Sequence, residues 1–423
     1  MLDRITAPEI KETEKVSYIE PEVRTLSNGM KVLGFNIGSQ EVIQLEFNFY
    51  SGSKYQEKSL VARYVSKMIG EASSNYASGE IMDKIDYYGA FMQSDSDRDM
   101  SHVTLFTIQK QLKHVLPVFA EALSNPTFPE RELSIHLKNG KQKYKVENEK
   151  VGYRCRQLFT ELLFKNHAYG KLADEAAYDE INASMLINFY KKMYSASNGL
   201  IVAAGRFDDS LYSQLEKEFG GIPVGENKRS SQKVVTSKAE KVYEEKLGAI
   251  QSGIRIGKVL DVQYGSDEFF KLQILNTVFG GYFGSRLMSN VREDKGYTYG
   301  IGSAIASMED AIFFFLSTEV GVDVTNEALK EVYFELDRLR DELVSEDELV
   351  LVKNYMLGSM LKSSDGPFSM ADKYKSVYFK GEDLRFYDRY ISMINNVTSE
   401  ELLVVAKKYF DPKEMLEVVV GKK

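Results

Sequence analysis

The chain has 423 residues, a net charge of −8 and 43% hydrophobic residues. At about 100–200 residues per domain this is room for two or three domains with real cores. The acidic balance argues against nucleic acid and anionic membrane surfaces, which both want clustered Lys and Arg. The single cysteine, Cys155, excludes an internal disulfide and fits a reducing compartment.

The first fifteen residues, MLDRITAPEIKETEK, are polar and charged, with no apolar core of a secretion signal. No window approaches 18 consecutive apolar residues, so no membrane span is expected and the location is read as cytoplasmic. Residues 22–50 read as strands, with Asn28-Gly29 as a turn and alternating apolar residues in VIQLEFNFY. Residues 58–72 and 78–89 read as helices. QSDSDRDMSHVTLFTI returns to strand, with Val103, Leu105 and Thr107 on one face. Helical periodicity then runs from Lys110 to about Phe164, broken at NPTFPE, where the second proline and Glu130 enter a new helix. Cys155 lies in GYRCRQLF within this run and reads as a buried, inert thiol. LIVAAGRF (200–207) is a buried strand, and LYSQLEKEFGG a helix closed by Gly220-Gly221. Residues 223–240 are polar with little periodicity and read as a linker.

The second half replays the first. INASMLINFYKKMYSASNGLIVAAG (181–205) lies on VTSEELLVVAKKYFDPKEMLEVVVG (397–421) without a gap at a shift of 216 residues. Leu200 meets Leu416, Val202 meets Val418 and Gly205 meets Gly421. The same shift places PERELSIHL (129–137) on SEDELVLVK (345–353). Two matches in one register predict duplication: an α+β chain of two homologous domains, 1–222 and 241–423. Each is expected to be a mostly antiparallel sheet with helices packed on one face.

RTLSNGMKVLGFNI, SGSKYQE, ALSNPTFPERELS, LFKNHAYGKLADEAAYDEINASMLINFYKKMYSASNGLIVAAGRFD and FGGYFGSRLMSNVREDKGYTYGIGS occur in this order. Together they resemble the insulinase-like (pitrilysin-type) zinc metallopeptidases, above all the short bacterial members and the mitochondrial processing peptidase subunits. Active members carry H-x-x-E-H on the first long helix, where two His four apart share one face and grip Zn²⁺. The matching stretch here is LVARYVSKMIGE (60–71), with Arg63, Ser66 and Lys67 at the His, Glu and His positions. On the later helix, the acidic ligand positions fall near His136 and Lys143. Cations at Arg63, Lys67 and Lys143 would repel Zn²⁺, so no metal is expected in this chain.

Of the four histidines, His102, His114 and His136 are expected at the surface, and His167 is read as a loop-packing residue rather than a ligand. In VREDKGYTYG, Arg292, Gly296 and Tyr299 match the family's second-domain pattern R-x-x-x-G-x-x-Y; Tyr297 is the weaker candidate. The resemblance implies that Arg292 holds substrate carbonyls and Tyr299 donates to an oxyanion. It also implies a non-zinc subunit of a heterodimeric peptidase, whose partner carries H-x-x-E-H and the zinc. The alternative is a catalytically inactive peptide-binding or structural homodimer. Peptides are the expected ligands, and an acidic chamber wall would favour basic ones.

Overall fold

The computed structural model describes residues 17–235 and 239–422. The signal-peptide reading of the N-terminal fifteen residues, and part of the linker, lie outside them. The first half runs β1 (Glu22–Thr25), β2 (Lys31–Asn36), β3 (Val42–Phe49), α1 (Val61–Met68), α2 (Glu80–Tyr87), β4 (Phe91–Ser96), β5 (Ser101–Ile108), α3 (Leu112–Ser124), α4 (Glu130–Asn148), α5 (Val151–Leu163), α6 (Ala177–Glu180), α7 (Ala183–Met193), β6 (Gly199–Gly205) and α8 (Ser210–Phe219). The second runs β7 (Glu240–Glu245), β8 (Gln251–Leu260), α9 (Asp267–Asn276), β9 (Ile301–Ser307), β10 (Ile312–Gly321), α10 (Thr325–Asp341), α11 (Glu346–Lys362), α12 (Pro367–Tyr378), α13 (Arg385–Asn396), α14 (Ser399–Tyr409) and β11 (Leu416–Gly421).

The sheets are ordered β1-β2-β6-β3-β5-β4 and β7-β11-β8-β10-β9. Without β1 they are the same sheet. β6 lies parallel to β2 and antiparallel to β3, as β11 lies to β7 and β8. All other pairs are antiparallel. The shift of 216 carries the first residues of α4, α5 and α7 onto those of α11, α12 and α14. Each half therefore has the α+β layout that the duplication predicts.

In the first half, β3 and β5 turn Ile43, Leu45, Phe47, Val103 and Leu105 toward α1, α3, α7 and α8, forming the main core on one face. The opposite face is also buried, but by the other half. Leu33, Phe35, Leu200, Val202 and Ala204 are covered by α12 through Ala371, with Phe368, Tyr374 and Tyr378 around it. Reciprocally, Val259, Leu416, Val418 and Val420 of the second sheet are covered by Val151, Cys155, Phe159 and Leu163 of α5. Cys155 and Ala371, 216 residues apart, are the small residues that let each helix sit close to the foreign sheet. The Cys155 thiol donates to the Val418 carbonyl at 3.4 Å, and burial pushes its pKa up to about 12, so it stays a protonated, inert group. At roughly 1.5–3 kcal/mol per fully buried large apolar side chain, each exchanged helix contributes substantially to the other half.

An ionic knot ties the halves together. The Lys54 side chain is 4% exposed, and its ammonium reaches Glu309 at 2.5 Å, Asp310 at 3.0 Å and Asp99 at 3.5 Å. Burial opposes its charge, but Glu309 and Asp310 outweigh that and hold its pKa above the ordinary lysine value. Glu309 and Asp310 form the β9–β10 turn and Asp99 the equivalent β4–β5 turn. The turns also join directly, Glu309 N donating to Asp99 at 2.9 Å. Tyr169 donates to Asp99 and accepts from Asp310 N. The linker stretch before residue 236 has no regular structure but is pinned here. Gln232 N donates to Asp310 at 3.1 Å, and Arg229 pairs with Glu309 at 2.5 Å.

A second buried cluster lies under α12. Lys375 reaches Glu46 of β3 at 2.5 Å, and His102 Nδ1 lies 3.1 Å from Glu46 and 2.7 Å from Asn48 Oδ1. His102 is thus not the surface residue that its strand-start position suggests. The β3–β5 pairing puts it opposite Asn48, beneath a helix from the other half. Burial disfavours its charge, but Asp97 and Glu46 prevail and its pKa is pushed up to about 9.

Two outcomes follow. Lys54→Met removes the one cation shared by Glu309, Asp310 and Asp99, leaving Arg229 on Glu309 alone. It is expected to lower unfolding free energy by about 3 kcal/mol or more in urea titrations; a loss below about 1 kcal/mol would show the knot to be incidental. Because the folded-state pKa of His102 lies above its unfolded value, its contribution is fully present below about pH 6.5 and lost as pH rises through about 9. The stability gap between the wild type and His102→Gln should shrink across that window, and a gap that is constant with pH would refute the charged pairing.

Candidate functional site

The helix that carries the family's zinc motif is short and held at both ends. Gln56 Oε1 accepts from Ala62 N at 3.1 Å, capping α1 in place of an N-cap side chain. Leu60 starts the helix at φ 77°, a left-handed conformation rarely adopted by a residue of its bulk, and Gly70 ends it at φ 93°. Val61, Tyr64, Val65 and Met68 face the core. Arg63 and Lys67, four apart, fall on the opposite, exposed side and enter a cavity of about 880 Å³. Ser66 is buried between, its hydroxyl 2.8 Å from that of Ser94 on the edge strand β4.

These residues do not fit zinc. Lys67 is depressed by burial and by the charges of Arg63 and Lys143, so the site is already strained by like charge. Lys143 is exposed on α4. His136, expected at the surface, is instead half-buried with Nε2 3.1 Å from Glu71, a pair and no more. No group of three or more His, Cys, Asp or Glu that could hold a metal occurs among the described residues. His114 is exposed and stacks on Tyr88. His167 is buried, accepts from Tyr169 N at 3.1 Å and lies 3.5 Å from Asp310, which is the packing role its loop suggests.

Arg292 lies in the last turn of a π-helical segment, Met288–Asp294. Gly296 follows at φ 67°, and its N–H closes on the Arg292 carbonyl at 3.2 Å. That left-handed turn reverses the chain and brings Tyr299 back to Arg292. The guanidinium lies 4.9 Å from the Phe283 ring centre and 5.0 Å from that of Tyr299, held between two aromatic faces. Tyr299 is 91% exposed, and Arg292 has no carboxylate partner among the described residues. Tyr297 is half-buried against the second core. Neither Arg292 nor Tyr299 lines the cavity at Arg63.

Sequence reasoning missed that cavity's character. Besides Arg63 and Lys67 it is lined by Arg98, Arg156, Lys171 and Arg255, against only Asp95 and Asp97. The condition for a preference for basic peptides, an acidic wall, is not met in this cavity. Net charge does not report which face carries it, and these six cations come from separate segments of the chain. The RCR run of α5 is the one local hint: Arg154 pairs with Glu244 at 2.7 Å, whereas Arg156 faces the cavity.

Residues 39–173 match the insulinase (peptidase family M16) profile, and residues 180–356 that of the peptidase M16 inactive domain. The chain belongs to this peptidase family. It is 23% identical over 403 residues to an uncharacterized zinc protease, YmxG, of Bacillus subtilis, covering 93% of this chain and 97% of that one. It is 25% identical over 224 residues to the mitochondrial-processing peptidase subunit alpha-1 of Dictyostelium discoideum, covering 51% of this chain and 34% of that protein. A solved peptidase M16 inactive domain from Pseudomonas fluorescens superposes with a TM-score of 0.88 at 20% identity, over 96% of this chain and 99% of that one. The chain is an inactive homologue within this family.

Equilibrium dialysis against zinc, followed by atomic emission, should find far less than equimolar metal. Tight equimolar zinc would overturn the reading of α1.

Proposed function

We propose that this chain is the non-zinc subunit of a heterodimeric M16 peptidase. The partner carries the H-x-x-E-H motif and its zinc. This chain supplies Arg292, whose forked donors hold a carbonyl of an extended peptide, and Tyr299, whose hydroxyl donates to the oxyanion that forms during hydrolysis. Gly296 supplies the turn that puts the two side by side.

The observation that carries this reading is the Phe283–Arg292–Tyr299 stack. A guanidinium fixed between two rings, with its donors unspent on any carboxylate and its neighbour almost fully exposed, is prepared for a ligand from outside the chain. Neither residue lines the cavity at Arg63, which supports a zinc centre supplied by another subunit. The similarity to a mitochondrial-processing peptidase subunit supports a paired arrangement. The second reading, an inactive peptide-binding homodimer, draws on the large cavity within the single chain.

The test is reconstitution with an H-x-x-E-H homologue and a peptide-cleavage assay. Tyr299→Phe is expected to lower kcat roughly 100-fold and Arg292→Ala to raise KM, each without preventing assembly. Unchanged cleavage in the double variant would rule the role out, and a tight homodimer that ignores the partner in light scattering would favour the second reading.

A further inference from the structure

The cavity at Arg63 gathers six cations against two carboxylates. Salt bridges are abundant in this acidic chain, yet none of Arg63, Lys67, Arg98, Arg156, Lys171 and Arg255 lies within ion-pair distance of a carboxylate among the described residues. Where they have close partners, these are aromatic rings or sulfur. Arg98 lies over Phe164 and near Met308, Arg156 over Tyr153, Arg255 over Phe315 and Lys67 by Tyr64.

Comparing the halves shows what is missing. Glu46 pairs across the sheet with Val202, and Arg255 pairs with Val418; Val202 and Val418 are duplicates. Glu46 and Arg255 therefore occupy the same place in the two sheets, each beneath the exchanged helix. In the first half that place is neutralised by Lys375 of α12 and by His102. In the second, the position equivalent to Lys375 is Phe159 and that equivalent to His102 is Phe315, so Arg255 is left without a counter-charge and opens to the cavity.

A second, independent sign is Gln157 on the same wall. It is 8% exposed, its amide donates to the Tyr153 hydroxyl at 3.1 Å, and its Oε1 has no partner among the described residues. A buried acceptor left unpaired is costly unless something supplies the donor. The edge strand β4 runs along the cavity through Ser94, Asp95 and Ser96, with one row of backbone groups unpaired.

We infer that this cavity binds an acidic peptide segment. Its Asp and Glu side chains would neutralise the six cations, and its backbone N–H groups would meet Gln157 Oε1 and the free edge of β4. The free edge and the amide acceptor suit a polypeptide backbone, and the overall charge of −8 opposes long polyanions such as nucleic acid. This deepens the peptide-handling side of the proposed function but does not depend on a zinc-bearing partner.

The experiment uses the isolated full-length chain and reads binding, not cleavage. Fluorescence anisotropy is followed with a labelled Glu-rich peptide of eight residues, a Lys-rich peptide, an uncharged one and a single-stranded oligonucleotide of similar charge. The Glu-rich peptide should bind at least about tenfold tighter than the other three, and weaken as salt rises. Arg63→Gln with Lys67→Gln, both exposed and so safe for folding, should lose about tenfold, and Arg255→Gln a similar factor if its melting curve remains cooperative. Lys113→Gln with Lys407→Gln, both exposed and neither lining the cavity, should bind the Glu-rich peptide as well as the wild type. No preference for the acidic peptide, tighter binding of the oligonucleotide, or indifference to the Arg63 and Lys67 changes would each overturn the assignment. Loss of cleavage in a reconstituted heterodimer would not bear on it, so the two readings can fail separately.

Discussion

The meeting of the two equivalent hairpin turns depends on a lysine with almost no access to water. Lys54 is buried against three carboxylates, two from the second half and one from the first. In a low-dielectric junction such a group is tolerable only while all its partners stay in place. The knot therefore holds the two equivalent hairpin turns, β4–β5 and β9–β10, against one another and fastens the linker over them through Arg229 and Gln232. The cavity lies beside this junction, lined by Arg98 of the β4–β5 turn and by Phe313 of β10. Fixing the turns thus fixes the distance between the cavity walls.

The duplicated fold places similar backbones in both halves but lets them carry opposite chemistry. Beneath α12 there is a closed ionic set of Glu46, His102 and Lys375. Beneath α5 the same three places hold Arg255 and two phenylalanines. One half has a neutralised interior and the other an open cationic one. Such divergence is available to a duplicated protein because the sheet needs only the strand pattern, not the identity of the residue at any one place on its face.

Much of the fold was legible. Shared register at a shift of 216 pointed to two copies, and the resemblance to the insulinase-like peptidases was carried by segments that stand in order along the chain. What could not be read was which sheet a helix covers. GYRCRQLF looks like any amphipathic helix, and nothing local says that Cys155 packs on Val418. The burial of His102 depends on α12, some 270 residues away in the chain. The basic cavity assembles from side chains scattered between residues 63 and 255, each unremarkable alone. Arg292 and Tyr299 were legible as a pair because the spacing that joins them is local, a turn through Gly296. Their partner Phe283 was not, because it is brought in by the π-helical turn between them.

The exchange of α5 and α12 also has a meaning in time. A ribosome releases the first half with Leu33, Phe35, Leu200, Val202 and Ala204 facing water, because their cover is not made until Tyr378 emerges. α5 emerges early, carrying an apolar face whose own sheet does not yet exist. The nascent chain thus presents two unsatisfied sticky surfaces until it is nearly complete, and these are natural points for a chaperone to hold or for two unfinished chains to capture each other.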